Sequence, residues 1–357
     1  MKKILYIILI FLFSLTIISC SSDGGSKSTD NTTTTDDDTT TDDTTTTSSS
    51  SSSSGKFVGV GSYGTIVTST SRNLWEVTYG NSNFVTVGNS GTIYTSSDNG
   101  STWISKTSGT TETLYGVTYD NSIFVTVGDN GTILTSSDGT TWTSRTWYSG
   151  TTEGLRGITY ENSTFVAVGA SSTILTSSDG TSWDNRTSGT TRNLWDVIYG
   201  NSNFVTVGNS GTIYTSSDNG STWIQRTSGT SNFLYGVTYG NSNFVAVGDN
   251  GTILTSTDNG ATWDSKTSGT TETLYGVTYD NSIFVAEGDS GTILTSSDGT
   301  TWTSRTSGTT EGLRGITYEN STFVAVGASS TILTSSDGTS WDNRTSGTTR
   351  NLWDVIY

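Results

Sequence analysis

Several residue types are missing from this 357-residue chain. It has no histidine and no proline, and it contains a single methionine and a single cysteine, Cys20. Without histidine there is no Ser-His-Asp triad and no imidazole ligand for zinc, and one thiol cannot form an internal disulfide. We therefore expect no cofactor and no His/Cys metal site, which leaves only all-oxygen cation sites open. The fold must be held by packing and strand ladders.

Basic residues are also scarce. Lysine and arginine together number 16 against 32 acids, which gives a net charge of −16 at pH 7. Phosphate binding needs a basic face, so this balance argues against nucleic acid and anionic lipid as partners. Thr, Val, Ile and aromatic residues are abundant, and these residue types favour strands. We expect an all-β protein.

The first 54 residues differ from the rest. Lys2 and Lys3 precede an apolar run at residues 4–13 that is short for a bilayer span, so residues 1–19 are predicted to be a secretory signal peptide. Ile-Ile-Ser-Cys at residues 17–20 resembles the bacterial lipobox, which implies a lipid on Cys20. Ser21, in place of an inner-membrane retention Asp, favours the outer membrane or cell surface. Residues 20–54 have no apolar side chain beyond Cys20 and should form a disordered Ser/Thr/Asp tether.

Residues 55–357 consist of repeats of about 40 residues. Each repeat carries a turn-like box with an Asp and a Trp that follows it. The pairs are Asp98 and Trp103, Asp138 and Trp142, Asp179 and Trp183, Asp218 and Trp223, Asp258 and Trp263, Asp298 and Trp302, and Asp337 and Trp341. A feature that recurs in every repeat indicates architecture rather than a single active site.

One repeat predicts four short strands. They cover residues 194–199, 204–208, 212–216 and 223–227, and Gly- and Asn-rich turns separate them. Gly and Asn suit hairpin turns that need positive φ. Four strands in about 40 residues is the size of a propeller blade.

The box Ser-x-Asp-x-Gly-x-x-Trp resembles the Asp box, also called the bacterial neuraminidase repeat. Complete boxes surround Asp98, Asp218 and Asp258, whereas the other four lack the residue between Asp and Gly. This motif occurs in sialidases, in other glycan-cleaving propellers and in the photosystem II assembly-factor family. The resemblance implies a β-propeller, in which the Asp accepts hydrogen bonds within its turn and the Trp packs between blades.

The number of blades follows from the two ends of the repeat region. Residues 57–61 and 65–69 resemble a second and a third strand, and residues 352–357 resemble a first strand. We expect these segments to form a composite blade, giving about eight four-stranded blades with the seven complete repeats. If the ends stay unpaired, the ring has seven blades.

One position on the first strand of each repeat varies in an informative way. If first strands line the central channel, these side chains ring its mouth, where aromatic and Arg residues suit a protein or glycan ligand. The alternative is ordinary packing between blades. The candidate binding face is Trp75, Tyr115, Arg156, Trp195, Tyr235, Tyr275, Arg314 and Trp353.

No catalytic set stands out. A sialidase needs an arginine triad, a Tyr/Glu pair and an opening Arg-Ile-Pro motif, and the chain has no proline. Glu287 is the most unusual acid, because it replaces a Val found at Val127 and Val247; it indicates sequence drift or a charge on the channel wall. We expect a monomeric, non-catalytic cell-envelope lipoprotein whose propeller acts as a protein- or glycan-binding or assembly module. The alternative is a glycoside hydrolase or lyase, which needs only two suitable carboxylates.

Overall fold

The computed structural model describes residues 58–61, 73–146, 149–186, 188–346 and 348–356. All of them belong to one compact unit, Ser53–Tyr357. The predicted signal peptide, Cys20, the tether and the predicted strand at residues 65–69 lie outside the described residues. In the described part of the chain, no helix is both long enough and apolar enough to cross a membrane.

Seven four-stranded antiparallel sheets, each formed by one repeat, make up the blades. Strands are numbered in chain order. The first strands are β2 (Leu74–Gly80), β6 (Leu114–Asp120), β10 (Leu155–Glu161), β14 (Leu194–Gly200), β18 (Leu234–Gly240), β22 (Leu274–Asp280) and β26 (Leu313–Glu319). The second strands are β3 (Asn83–Gly88), β7 (Ile123–Gly128), β11 (Thr164–Gly169), β15 (Asn203–Gly208), β19 (Asn243–Gly248), β23 (Ile283–Gly288) and β27 (Thr322–Gly327).

The outer half of each blade is shorter. The third strands are β4 (Thr92–Ser96), β8 (Ile133–Ser136), β12 (Ile174–Ser177), β16 (Ile213–Ser216), β20 (Ile253–Ser256), β24 (Ile293–Ser296) and β28 (Ile332–Ser335). The fourth strands are β5 (Ile104–Lys106), β9 (Thr143–Ser144), β13 (Asp184–Arg186), β17 (Ile224–Arg226), β21 (Asp264–Lys266), β25 (Thr303–Arg305) and β29 (Asp342–Arg344).

The prediction of about eight four-stranded blades is wrong, because the propeller has seven. The end strands β1 (Val58–Gly61) and β30 (Leu352–Ile356) do pair with each other, but only as a two-stranded antiparallel sheet. Among the described residues, no third or fourth strand joins this pair, and so the composite does not become a blade. β30 lies between β26 and β2, and consecutive first strands contact each other around a central channel.

The turn between the first two strands follows the local sequence. In the fourth blade, Asn201 and Ser202 have φ of 44° and 68°, the left-handed conformation that a tight hairpin requires. Gly200, just before these two residues, does not have a positive φ. A Cβ there would lie 2.2 Å from Cγ of Tyr239 in the next blade, so the glycine permits close packing of neighbouring blades.

The two faces of the propeller carry different turns. One face, here called the mouth face, carries short 3₁₀ turns that join the second and third strands. These turns are Asn89–Gly91, Asp129–Gly131, Ala170–Ser172, Asn209–Gly211, Asp249–Gly251, Asp289–Gly291 and Ala328–Ser330. The opposite face carries the first hairpins and the Asp-containing turns, since antiparallel strands reverse direction at each connection.

The hydrophobic core lies between blades rather than inside one. A representative cluster joins Val166 and Ile174 of the third blade to Leu194, Phe204 and Trp223 of the fourth. Equivalent clusters recur around the ring, and β1 contributes Val58 and Val60 to the one beside the first blade. Burial of apolar area between blades is therefore the main stabilising contribution.

Candidate functional site

The structure brings the eight predicted binding-face residues together at the mouth of the channel. All eight, here called the mouth ring, are half-buried at the start of the first strands and β30. In each first strand a register shift follows the leucine, and this bulge turns the next side chain toward the mouth face.

The mouth ring consists of two stacks. In one stack, Trp75 lies 5.5 Å from Trp353 and 5.9 Å from Tyr115, measured between ring centroids. The guanidinium carbon of Arg156 lies 3.9 Å above the Tyr115 ring and ends that stack. These distances are typical of aromatic pairs and cation–π contacts.

The second stack repeats this arrangement on the other side of the channel. Tyr235 lies 6.3 Å from Trp195 and 5.4 Å from Tyr275, and Arg314 lies 4.0 Å above Tyr275. The likeness follows from the internal duplication of the sequence. Each stack thus presents aromatic faces at one end and an arginine at the other.

The 3₁₀ turns hold the mouth ring in place. Trp75 and Trp195 donate their indole N–H to Asn89 and Asn209, at 2.7 and 2.6 Å. Tyr115 and Tyr275 donate their hydroxyl groups to turn carboxylates, at 3.2 and 3.1 Å. Burial and the charge of a turn carboxylate raise the pKa of Tyr235 to about 12.

The two arginines bind the turn of the preceding blade. Arg156 pairs with Asp129 at 3.2 Å, and Arg314 pairs with Asp289 at 2.9 Å. Each aspartate therefore joins the tyrosine of its own blade to the arginine of the next blade. The mouth ring is a preorganised surface rather than a set of independent side chains.

Sequence reasoning missed these turn residues, although a signal exists. The mouth-ring residue and its turn partner are 14 positions apart, and their identities match: Trp with Asn, Tyr with Asp, and Arg with Ala. In the blades of Arg156 and Arg314 this turn position is an alanine, which has no side-chain acceptor. The two arginines bind the turn aspartates of the preceding blades instead.

Three carboxylates lie on the channel wall just below the mouth ring. Glu76, Asp196 and Asp354 accept hydrogen bonds from the backbone N–H of Val117, Val237 and Val77, at 2.7, 2.9 and 3.1 Å. Each bond crosses to the neighbouring first strand.

These channel carboxylates affect one another electrostatically. Burial, followed by the charge of Asp354, raises the pKa of Glu76 well above its usual 4.5, and Asp196 adds to the effect. Burial raises the pKa of Asp354 to about 6, and it also raises the pKa of Asp196. The three groups therefore share one poorly hydrated region.

Glu287 is a fully buried acid between the sixth and seventh blades. One of its oxygens lies 2.6 Å from the position that a Cβ on Gly276 would take. Burial raises its pKa to about 8, although Arg314 opposes the shift. Neither oxygen has a described partner in full hydrogen-bond geometry, although the Gly276 N–H is near enough to lower the pKa.

The Asp-containing turns lie on the face opposite the mouth ring. In the turn of the sixth blade, Asp298 accepts backbone N–H bonds from Thr300 and Thr301, both at 2.8 Å. Trp302 donates its indole N–H to the carbonyl oxygen of Gly299. In the turns of Asp138, Asp179 and Asp337 the carboxylate also accepts two backbone N–H bonds, and in those of Asp98, Asp218 and Asp258 it accepts one backbone N–H and one threonine hydroxyl. These residues therefore stabilise the turns on the face opposite the mouth ring.

The cavities outside the channel are open grooves. One of about 840 Å³ lies between blades and is lined mainly by Ser, Thr, Gly and Asn, and similar grooves recur around the propeller. In the described part of the chain, no group of three acidic or thiol side chains is close enough to hold a metal ion.

Comparison with known proteins supports the fold. No protein-family model and no curated protein matches the chain. Among solved structures, the computationally designed Ika8 protein is 12% identical, covers 82% of this chain and 92% of its own, and has a TM-score of 0.68.

Two structures of YCF48 are also similar. YCF48 from Cyanidioschyzon merolae is 15% identical over 65% of this chain and 85% of its own, with a TM-score of 0.51. YCF48 bound to D1 peptide is 19% identical over 69% and 87%, with a TM-score of 0.55. At these identities the likeness concerns the β-propeller fold.

Proposed function

We propose that this chain is a non-catalytic, monomeric module of the bacterial cell envelope whose mouth ring binds a segment of a partner protein. The observation that carries the proposal is the pair of preorganised aromatic stacks. Half-buried Trp, Tyr and Arg side chains that are already held in place lose little conformational entropy on binding, and these residue types dominate protein hot spots.

The solved neighbours favour a protein ligand over a glycan. YCF48 was captured with a bound D1 peptide, so a propeller with this fold can bind a peptide. The net charge of −16 disfavours nucleic acid and anionic lipid as partners of this chain.

The location is a separate part of the proposal. It rests on the lipobox-like residues 17–20 and on the composition of residues 20–54, which suits a tether. Cys20→Ser should release the protein from the membrane fraction of a bacterial expression host, because no lipid could be attached. An unchanged distribution would contradict lipid anchoring and leave the binding proposal intact.

The binding proposal is tested by affinity capture from an envelope extract with the full chain. We expect one protein to co-purify, and we expect its recovery to fall at least tenfold with Trp75→Ala combined with Trp195→Ala. Tyr79→Ala is the matched control, since Tyr79 is an aromatic residue 47% exposed at the far end of β2. Equal loss with the control, or capture of carbohydrate alone, would refute a protein-binding mouth ring.

A second candidate function is glycoside hydrolysis or lyase chemistry. It is favoured by Glu76 and Asp354, two mutually interacting channel carboxylates with raised pKa values, because such enzymes need one protonated and one ionised carboxyl group. Turnover of a polysaccharide panel that is abolished by Glu76→Gln would support it. Complete inactivity of the wild-type chain across the panel would exclude those substrates.

A further inference from the structure

The channel carboxylates form a layer directly below the mouth ring. The N–H groups that bind Glu76, Asp196 and Asp354 belong to residues two positions after Tyr115, Tyr235 and Trp75. Two residues along a strand correspond to about 7 Å. A side chain that entered the channel between the aromatic rings would therefore meet these carboxylates next.

The charge of this layer is not neutralised by an ion pair within the part of the chain that the structure describes. Among the described residues, no Lys or Arg forms an ion pair with Glu76, Asp196 or Asp354. Their bonds to backbone N–H groups satisfy part of their capacity as acceptors. A cation beside such a carboxylate supplies Coulomb attraction that offsets the hydration lost on burial.

Glu287 is a further buried acid next to the first-strand position that Glu76 and Asp196 occupy in their own repeats. Gly276, beside its carboxyl group, is the repeat equivalent of Glu76 and Asp196, so Glu287 reaches the same layer from the second strand of its blade. It is fully buried and its oxygens lack full hydrogen-bond partners. A fourth buried carboxyl group with unused acceptor capacity thus lies beside Gly276, where it also feels the charge of Arg314.

Two aromatic rings above this layer already make cation–π contacts with arginine side chains. Arg156 and Arg314 stack on Tyr115 and Tyr275 at 3.9 and 4.0 Å. A metal ion is a poor candidate, because no three acids in the described part of the chain come close enough to coordinate one. A long, flexible organic cation can contact aromatic faces with its stem and a carboxylate with its head.

We propose that the mouth of the channel accepts a lysine or arginine side chain, and hence that the segment bound by the mouth ring is a basic peptide. This inference rests on the proposed function, because it names the chemical class of partner for the same face. It predicts that binding depends on the channel carboxylates and weakens with added salt.

The experiment uses the full chain in mild detergent and a phage-displayed library of random 12-residue peptides. Selected peptides should be enriched in Lys and Arg at least threefold over the input library. The tightest basic peptide should bind at least tenfold more weakly to the triple variant Glu76→Gln, Asp196→Asn, Asp354→Asn. It should also bind more weakly when its lysines are acetylated. The amide side chains keep an oxygen that can accept the backbone N–H bonds.

A matched charge control is Asp184→Asn, Asp264→Asn, Asp342→Asn. These exposed acids on the fourth strands pair with basic residues of their own strands, and their replacement likewise removes three formal negative charges. Binding should stay within twofold of wild type. An equal loss in both triple variants would reduce the effect to general electrostatic attraction and overturn the inference.

The remaining outcomes separate the two proposals. Neutral or acidic peptides that lose binding with Trp75→Ala and Trp195→Ala, but not with the channel triple variant, would refute the cation site and support the mouth ring. Peptides insensitive to the tryptophan changes, or a library with no enriched peptide, would refute both. Circular dichroism melting of every variant shows whether a loss of binding reflects unfolding.

Discussion

Ionisation of the fully buried Glu287 should destabilise the fold. Its pKa is about 8 in the folded chain against a usual 4.5, so the folded state retains the proton over this interval. The contribution of this carboxyl group to the stability of the fold is therefore fully present below about pH 4.5 and is lost as pH rises through about 8. We predict that Glu287→Val, which restores the common repeat residue, raises the unfolding free energy at pH 9 by on the order of 4 kcal/mol.

The same chain offers a reciprocal control for this prediction. Val127 is the fully buried equivalent of Glu287 beside the first stack, so Val127→Glu should introduce the same pH-dependent cost. Urea unfolding of both variants at pH 5 and pH 9 measures the difference. A stability gap for Glu287→Val that does not widen between these pH values would contradict the buried-acid explanation.

Single residues were predictable from the sequence where repetition isolates one varying position. The mouth-ring residues, such as Trp75 and Arg156, were found in this way, and Glu287 was recognised as unusual. The partners Asn89 and Asp129 were overlooked because they resemble ordinary turn residues. Their role depends on the bulge after the first-strand leucine, which turns the side chain toward the turn and which alternation alone does not predict.

At the scale of elements, the Asp-containing turns should tolerate loss of charge better than loss of the acceptor. Asp258 accepts a backbone N–H bond from Thr262 at 2.8 Å and a hydroxyl bond at 2.6 Å. Asp258→Ala should lower the unfolding free energy by about 1 kcal/mol, and Asp258→Asn by less than half of that. Thermal melting at pH 7 measures both changes.

The control for the turn is Asp264→Ala on the adjacent strand β21. Asp264 makes a surface ion pair with Lys266 at 3.5 Å, and such pairs contribute about 0–1 kcal/mol. An Asp264→Ala effect as large as that of Asp258→Ala would contradict a specific role of the turn carboxylate.

Most strands were predictable because each repeat has the same order of strand-forming segments and turn residues. Residues 194–199 and 204–208 were predicted as strands and form β14 (Leu194–Gly200) and β15 (Asn203–Gly208). The fourth strand is shorter than expected, ending at Arg226. The sequence did not predict that the chain ends form a two-stranded sheet within the described residues, since apolar alternation shows that a segment can pair but not how many strands join it.

At the scale of the molecule, the terminal pair β1 and β30 completes the ring of strands around the channel, because β30 lies between β26 and β2. Val60 is fully buried in a cluster with Leu74 and Phe84 of the first blade. Val60→Ala should lower the unfolding free energy by about 2 kcal/mol and accelerate hydrogen exchange in β30 more than in the other strands. Val245→Ala, an equally buried change within a complete blade, is the control. If hydrogen exchange in β30 were no faster in Val60→Ala than in Val245→Ala, closure of the ring by this pair would be contradicted.

The stability of the whole molecule should be greatest in mild acid, because two sets of carboxyl groups act in opposite directions. Burial raises the pKa of one set, and turn hydrogen bonds lower the pKa of the other. The raised set among the described residues is Glu76, Asp120, Glu161, Asp196, Asp280, Glu287 and Asp354. The lowered set is Asp98, Asp138, Asp179, Asp218, Asp258, Asp298 and Asp337.

The raised set contributes stability that is full below its usual pKa values and declines as pH rises through about 6 for Asp354 and about 8 for Glu287. The lowered set contributes stability that is present above about pH 4 and is lost as pH falls through about 2 for Asp98 and Asp258. Self-repulsion at a net charge of −16 also weakens the fold at neutral pH.

We therefore predict a maximum of the thermal midpoint near pH 4–5, measured by calorimetry from pH 2.5 to 9. A maximum between pH 7 and 8 would contradict this balance, and a Glu287→Gln variant should lose part of the decline above pH 6 while keeping the acid limb unchanged.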